Sequence, residues 1–225
     1  MSTNISIDET LLTIDHPYIT LISPISLRTL SSGVVGAGMG FHSNFVNKHV
    51  AKNDYINHHQ VYMRASNEQI GINVHEKVGM MTAVEVKYVT YNLYNENDFS
   101  IFVVVTAGVG NAVDSSKAYA YSKDPSLGTI NTWIFINGIV SDEALVQAVI
   151  TATEAKAKSL NDLHIYDPVS QTIATGTSTD SILIGATQQG AKLPYAGTAT
   201  PLGKLIGKAI YQETKRAVLK TTQSV

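Results

Sequence analysis

Cysteine is absent from the 225 residues. That excludes disulfides, thiolate metal sites and a cysteine nucleophile, and it fits a reducing compartment. Charge is scarce as well: Asp, Glu, Lys and Arg make up 15% of the chain, and the net charge is -2. A nucleic-acid-binding face needs clustered basic residues, and none is evident. Long hydrophobic runs are missing, since none approaches the roughly 18 residues that span a bilayer. No charged-then-apolar leader opens the chain. These absences predict a soluble, cytoplasmic protein with neither a membrane nor a nucleic-acid partner.

Apolar residues are plentiful, at 44%, enough to bury a substantial core. Without repeats or a low-complexity linker, the chain reads as one domain over 1–225, with flexible ends at about 1–10 and 220–225. Tyr18 to Ile22 and Ile25 to Leu30 read as two short strands parted by Ser23-Pro24. Gly33, Gly36, Gly38 and Gly40 follow. Their spacing fails the dinucleotide fingerprint, so they predict a tight connection with close backbone approach. Asn44 to Ala51 is expected as a short helix, Asn53 to Tyr62 as a loop. Ser66 or Asn67 can cap a helix to about Lys77 that Gly79 ends.

Thr82 to Tyr94 reads as one long strand, and Asn95-Glu96-Asn97-Asp98 as a turn into a second strand, Phe99 to Thr106. Lys123 to Ser126 is another turn. The run Thr129 to Asn137 is apolar on both faces, as a covered strand is. Ser141 can cap the helix that follows, to about Leu160, with Asp142 and Glu143 in its first turn. Leu145, Ala148, Val149, Ala152 and Ala155 form its apolar stripe, and Glu154 and Lys158 stand four apart as an exposed ion pair does. Ile182 to Ala186 is a further strand. A last helix starts near Pro201 and buries Leu202, Leu205, Ile206, Ala209 and Ile210. A hairpin and a helical crossover together imply an α+β (mixed α/β) fold: a mixed, partly antiparallel sheet, buried on both faces and covered by helices.

Chemistry concentrates in one loop, Ala174-Thr175-Gly176-Thr177-Ser178-Thr179-Asp180. Four hydroxyls, a glycine and a carboxylate at the edge of a buried strand suit a polar ligand. Asp180 can act as a general base or merely cap its own backbone. Glu154 is either a carboxylate at the site's edge or half of an exposed ion pair; Thr151, Thr153 and Lys156 share that ambiguity. Gly108, Gly110 and Asn111, at the end of a buried strand, suggest close backbone approach to a ligand or another element. Asn111 and Asn131 can hold a substrate amide or only their own turns. His42 and His49 are better acid, base or ligand candidates than the adjacent His58-His59, and His42 lies beside Asn44 in a polar cluster. Gly-Thr pairs at Gly128, Gly176 and Gly197 raise the option of self-cleavage to an N-terminal threonine nucleophile. A threonine that serves as a plain hydroxyl donor is preferred here. No paired-histidine zinc helix, P-loop or Gly-x-Ser-x-Gly elbow is present, and no metal set is recognisable.

Taken in order, several motifs resemble one family, the adenosylcobinamide amidohydrolases of corrinoid salvage. They are Leu30-Ser31-Ser32, Asn47-Lys48-His49-Val50, Gly79-Met80-Met81-Thr82-Ala83 and Thr106-Ala107-Gly108-Val109-Gly110-Asn111-Ala112. The strongest are Gly128-Thr129-Ile130-Asn131, Thr151-Ala152-Thr153-Glu154-Ala155-Lys156 and the hydroxyl loop to Asp180. Tyr195-Ala196-Gly197-Thr198 and the helix Leu202 to Val218 complete them.

The resemblance implies hydrolysis of adenosylcobinamide to adenosylcobyric acid and aminopropanol. It implies a corrinoid substrate and no cofactor beyond the cobalt that substrate carries; a homo-oligomer is compatible with it. It assigns no roles, so these come from the residues. Asp180 or Glu154 activates water, with Thr177 beside them. Backbone N–H groups of Thr175–Thr179 or Gly108–Asn111 stabilise the oxyanion. Asn111, Asn131 and Thr198 orient the scissile arm. His42, Asn44, Thr106, Gly108, Thr175, Gly176 and Thr179 complete the expected substrate contacts. The alternative is a corrinoid carrier that binds without cutting, against which the missing Asp-x-His-x-x-Gly cobalt-ligand motif counts.

Overall fold

The computed structural model describes residues 5–50, 77–118 and 128–223. Its centre is a large mixed sheet built from β1 (Leu12–Asp15), β2 (Tyr18–Ser31), β3 (Gly38–His49), β4 (Lys77–Thr82), β5 (Thr90–Glu96), β6 (Phe99–Ala107), β8 (Ile130–Asn137) and β11 (Ser181–Ala186). Across the sheet the order is β4-β3-β2-β11-β8-β6-β5, with β1 paired to β2. Two short pairs flank it: β7 (Ala112–Val113) with β10 (Gly176–Thr177), and β9 (Ile139–Val140) with β12 (Lys192–Leu193). Helices α1 (Asp142–Asp162) and α2 (Pro201–Thr222) pack on one face. The mixed, doubly covered sheet expected from the sequence is present.

Two apolar clusters hold the layers. On the helix side, Ile101, Val103, Ile130, Ile134 and Ile184 meet Leu145, Ala148, Leu202 and Ile206. On the other side the sheet folds over itself, so that Ile19, Leu21, Leu27, Phe45 and Met80 pack on Phe102, Trp133, Phe135 and Leu183. The fold-over starts in β2. Its ladder with β3 shifts register between Ile22 and Leu27. Pro24 has no N–H for a ladder, and Ser23 bridges the gap by donating Oγ–H to Ile25 O at 2.6 Å. The two short strands read from the sequence are thus one bent strand.

Other local readings also change. Asn44 to Ala51 is not helical: β3 runs Gly38–His49 along β2. Burying Phe45 there is worth about 1.5–3 kcal/mol, which outweighs per-residue helix propensities of under ~1 kcal/mol. Gly79 ends no helix; it lies inside the buried strand β4. Thr82 to Tyr94 is interrupted by a helical turn at Val86–Tyr88 that buries Val86. The described parts of both terminal segments are held by hydrogen bonds. Ile7 is fully buried, and its N–H donates to Asn137 Oδ1 at 2.7 Å. Helix α2 continues through Thr222, with Lys220 donating to Val89 O and Thr221 to Ala107 O.

Several expectations are met. Asn97 takes the left-handed conformation, φ 48°, in the β5–β6 hairpin turn. Ser141 Oγ caps α1 by accepting from Ala144 N, and Thr200 caps α2 with Pro201 at its start. The glycine-rich connection is a close approach: a Cβ on Gly36 would lie 2.3 Å from Lys77 O. The loop Asn53–Tyr62, the helix from Ser66 or Asn67, the pair His58-His59 and the turn Lys123–Ser126 lie outside the described residues. No helix among the described residues is long and apolar enough to cross a membrane.

Candidate active site

The hydroxyl loop is anchored at its base and zipped at its tip. At the base, Asp114 Oδ2 accepts from Thr172 Oγ1 at 2.6 Å and Oδ1 from Ser116. These bonds hold its carboxyl below the usual aspartate range. Thr175 N donates to Val113 O, and Gly176–Thr177 pair with Ala112–Val113 as a short antiparallel ribbon. The segment after β6 and the hydroxyl loop, far apart in sequence, are thereby neighbours. At the tip two threonines exchange bonds across the loops: Thr129 Oγ1 donates to Thr179 O, and Thr179 Oγ1 to Gly128 O, both at 2.8 Å. Asn111 Nδ2 donates to Ser178 Oγ at 2.8 Å.

This scaffold presents Asp180. Its Oδ1 accepts from Ile130 N at 3.0 Å, Thr177 N at 3.2 Å and Thr177 Oγ1 at 2.5 Å. Its Oδ2 is ion-paired with Lys156 Nζ from α1. The two side chains are 19% and 14% exposed, so the pair is sheltered but reachable. Both line a cavity of about 130 Å³ with Ile130, Thr132, Thr153 and Ile182. An ionised carboxylate offers about four acceptor positions. Oδ1 is saturated by three donors, whereas Oδ2 accepts from Lys156 Nζ. Gly176 makes the arrangement fit: a Cβ there would lie 2.6 Å from Oδ2 and 2.8 Å from Nζ.

The structure separates other candidates from this pair. Glu154 is exposed on α1, and Lys158 pairs with Asp162 at 2.5 Å instead. Asn131 and Thr106 point into the opposite, folded-over core. Asn131 is 2% exposed. It donates to Asn47 Oδ1 and Met81 O and accepts from Thr129 Oγ1; Asn47 in turn donates to Thr106 Oγ1. That network clamps β3 and β4 onto β6 and β8. His42 packs across from Leu27, accompanied by Thr29 Oγ1 at 2.7 Å from its Nδ1, and burial pulls its pKa down. Asn44 donates to Ser43 on the same strand. Gly108 closes on Gly128, and Thr198 is exposed ahead of α2. The N–H groups of Thr175 and Thr177, expected at the oxyanion, are engaged by Val113 O and Asp180.

Lys156 is the partner that sequence reading left ambiguous. No local pattern singles it out, because its partner lies in a loop 24 residues further along the chain. Among the described residues, no group of three or more His, Asp or Glu is arranged to hold a metal ion.

The fold is thus mixed α/β, with a carboxylate–ammonium pair lining a small cavity. The family model for adenosylcobinamide amidohydrolase matches residues 3–225, and the chain belongs to that family. An adenosylcobinamide amidohydrolase of Methanosarcina mazei is 29% identical over 206 residues, 87% of this chain and 92% of the relative. The uncharacterized protein MJ1613 of Methanocaldococcus jannaschii is 30% identical over 128 residues, 56% of this chain but only 45% of that protein. The uncharacterized ABC transporter ATP-binding protein YvrA of Bacillus subtilis is 26% identical over 181 residues, 80% of this chain and 32% of that protein. The chain thus spans less than half the length of these last two. Among solved structures, the PH0078 protein from Pyrococcus horikoshii OT3 superposes with a TM-score of 0.49 at 9% identity, over 90% of this chain and 77% of that one.

Proposed function

We propose that this chain is a cytoplasmic amidohydrolase of corrinoid salvage that converts adenosylcobinamide and water to adenosylcobyric acid and aminopropanol. Family membership supports the reaction class. The observation that carries the assignment to a site is the Asp180–Lys156 pair at the cavity. Asp180 Oδ2 removes a proton from water as its oxygen attacks the amide carbonyl. The Lys156 ammonium offsets the charge that develops on the carbonyl oxygen. The C–N bond then breaks, and Asp180 returns the proton to the departing amine. Thr177 and the Ile130 N–H hold Asp180 in place, while Glu154 takes no part.

Incubation with adenosylcobinamide, followed by mass spectrometry of corrinoid and protein, tests this. Release of aminopropanol from an intact chain is expected. An unchanged corrinoid that co-elutes with the protein would replace the hydrolase with a binding protein. A chain cut at a Gly-Thr bond would replace water attack with a threonine nucleophile.

A further inference from the structure

Strand β8 carries into the Asp180–Lys156 cavity a side chain that takes no part in the hydrolysis itself. Side chains alternate along a strand, so Ile130, Thr132 and Ile134 share the helix-bearing face, and the two isoleucines pack in the helix-side cluster. Thr132 lines the cavity one row beyond Ile130, with Val105 and Ile182 as its ladder partners. It is 5% exposed. Among the described residues its hydroxyl has no hydrogen-bond partner, and its oxygen is not sealed in the core as the unpartnered Thr214 Oγ1 is. A buried hydroxyl that forgoes a hydrogen bond is costly unless the adjoining space supplies one. The neighbouring hydroxyls are committed or turned away. Thr153 Oγ1 donates to Val149 O at 2.8 Å, and Thr177 Oγ1 donates to Asp180. Ser181 alternates towards the face of Leu183, which packs in the opposite cluster.

Size decides which part of an amide can reach Thr132. The cavity measures about 130 Å³. A cavity of about 150 Å³ takes a benzene ring, which has six heavy atoms, so about five heavy atoms fill this one. The acyl side of a corrinoid amide is tethered to a macrocycle far too large to enter. Only the amine side can go in. 1-Aminopropan-2-ol has about the right size, and its hydroxyl stands two carbons from its nitrogen, at most about 3.7 Å away with bonds of about 1.5 Å. Thr132 lies two positions along β8 from Ile130, whose N–H holds Asp180, or roughly 7 Å at about 3.3 Å per strand residue. A nitrogen beside Asp180 and a hydrogen bond of about 2.8 Å to Thr132 span that distance. The methyl group of the arm then meets Ile130, Ala152 and Ile182.

We propose that the cavity is the leaving-amine pocket and that Thr132 is a specificity-determining residue, whose hydroxyl hydrogen-bonds the hydroxyl of the aminopropanol arm. The proposal rests on the amidohydrolase reading above. The arm enters first and the macrocycle stays outside, which brings the scissile amide to Asp180 and Lys156 at the lining they share. A threonine hydroxyl both donates and accepts, so it pairs with an alcohol in either direction. Amides whose amine carries a hydroxyl two carbons from nitrogen are therefore favoured over plain alkyl amides, which leave Thr132 unpaired and displace any water that served it.

The test compares two substrates, adenosylcobinamide and an analogue whose arm is a plain propyl amide. The wild type is expected to favour adenosylcobinamide by about tenfold in kcat/KM, the scale of one hydrogen bond. Thr132→Val should lower kcat/KM for adenosylcobinamide about tenfold, so that the preference disappears. Thr132→Ser, which keeps the hydroxyl, should keep the preference. Because the hydroxyl has no protein partner, the urea midpoint of Thr132→Val should not fall. Equal kcat/KM for the two substrates in an active wild type would overturn the pocket and leave Thr132 to a trapped water. A preference that survives in Thr132→Val would overturn the role of Thr132. An equal loss on both substrates, with a lowered urea midpoint, would assign Thr132 to the core instead. A wild type that cleaves neither substrate would overturn the hydrolase reading, and the pocket with it.

Discussion

A methyl group on Gly176 would lie 2.6 Å from Oδ2 of Asp180. Real Cβ atoms do not approach that closely, so Gly176→Ala must displace either the carboxylate or the ribbon with Ala112–Val113. Displacement of about 1 Å near a reacting group can cost 10²-fold in rate. Gly176→Ala is therefore expected to lower kcat/KM for adenosylcobinamide by about 10²-fold with only a modest loss of stability. Steady-state kinetics beside a thermal melt will check it. Wild-type kinetics would mean that the pair is not the reacting site.

Asp180 and Lys156 form a unit, so their variants should not add. Asp180→Asn removes the base, and a loss of about 10²–10⁴-fold is expected. Lys156→Met removes the ammonium and leaves the carboxylate without its charged partner. The double variant should lose little more than either single one. Glu154→Ala, by contrast, should be indistinguishable from wild type. Activity lost in Glu154→Ala but kept in Asp180→Asn would exchange their roles.

The parts of the fold legible in sequence were those with short-range causes. Ser141 precedes an apolar stripe, Asn95 to Asp98 interrupts two strands, and Thr129 to Asn137 is too apolar for anything but a buried position. β3 was not legible, because Asn44, Asn47 and His49 read as polar helix until β2 supplies the ladder that makes them strand. The hydroxyl loop and Asp180 stood out by composition alone. The place of Asn131 was not legible for a specific reason. Its strand is apolar on both faces, so alternation does not tell which side Asn131 occupies, and the structure puts it in the core opposite Asp180. The contact of Lys156 with Asp180 joins a helix to a loop and has no local signature.

Asn131 is expected to matter for stability rather than substrate binding. Asn131→Ala leaves Asn47 Oδ1 and Met81 O without the donor they share. An unmet buried acceptor costs about 1–3 kcal/mol. The urea midpoint should fall accordingly, while KM for adenosylcobinamide stays near wild type. A raised KM at unchanged stability would return Asn131 to the substrate site.

Acid sensitivity should show at the far end of α1, where Asp162 accepts from Lys158 Nζ at 2.5 Å and from Tyr211 OH at 2.8 Å. The Lys158 bond, then the Tyr211 bond, lowers its pKa from 3.8 to about 2. A depressed carboxylate pKa means that the unfolded chain binds the proton more readily than the folded one. The contribution to stability is therefore full above the unfolded value of 3.8 and is lost as the pH falls through about 2. Asp162→Asn should be less stable than wild type at pH 6, and the gap should narrow below pH 4 and close near pH 2. Urea melts across that range will measure it. A gap that persists unchanged at pH 2 would mean that the carboxylate's charge contributes nothing, leaving only the neutral hydrogen bonds of the α1–α2 contact.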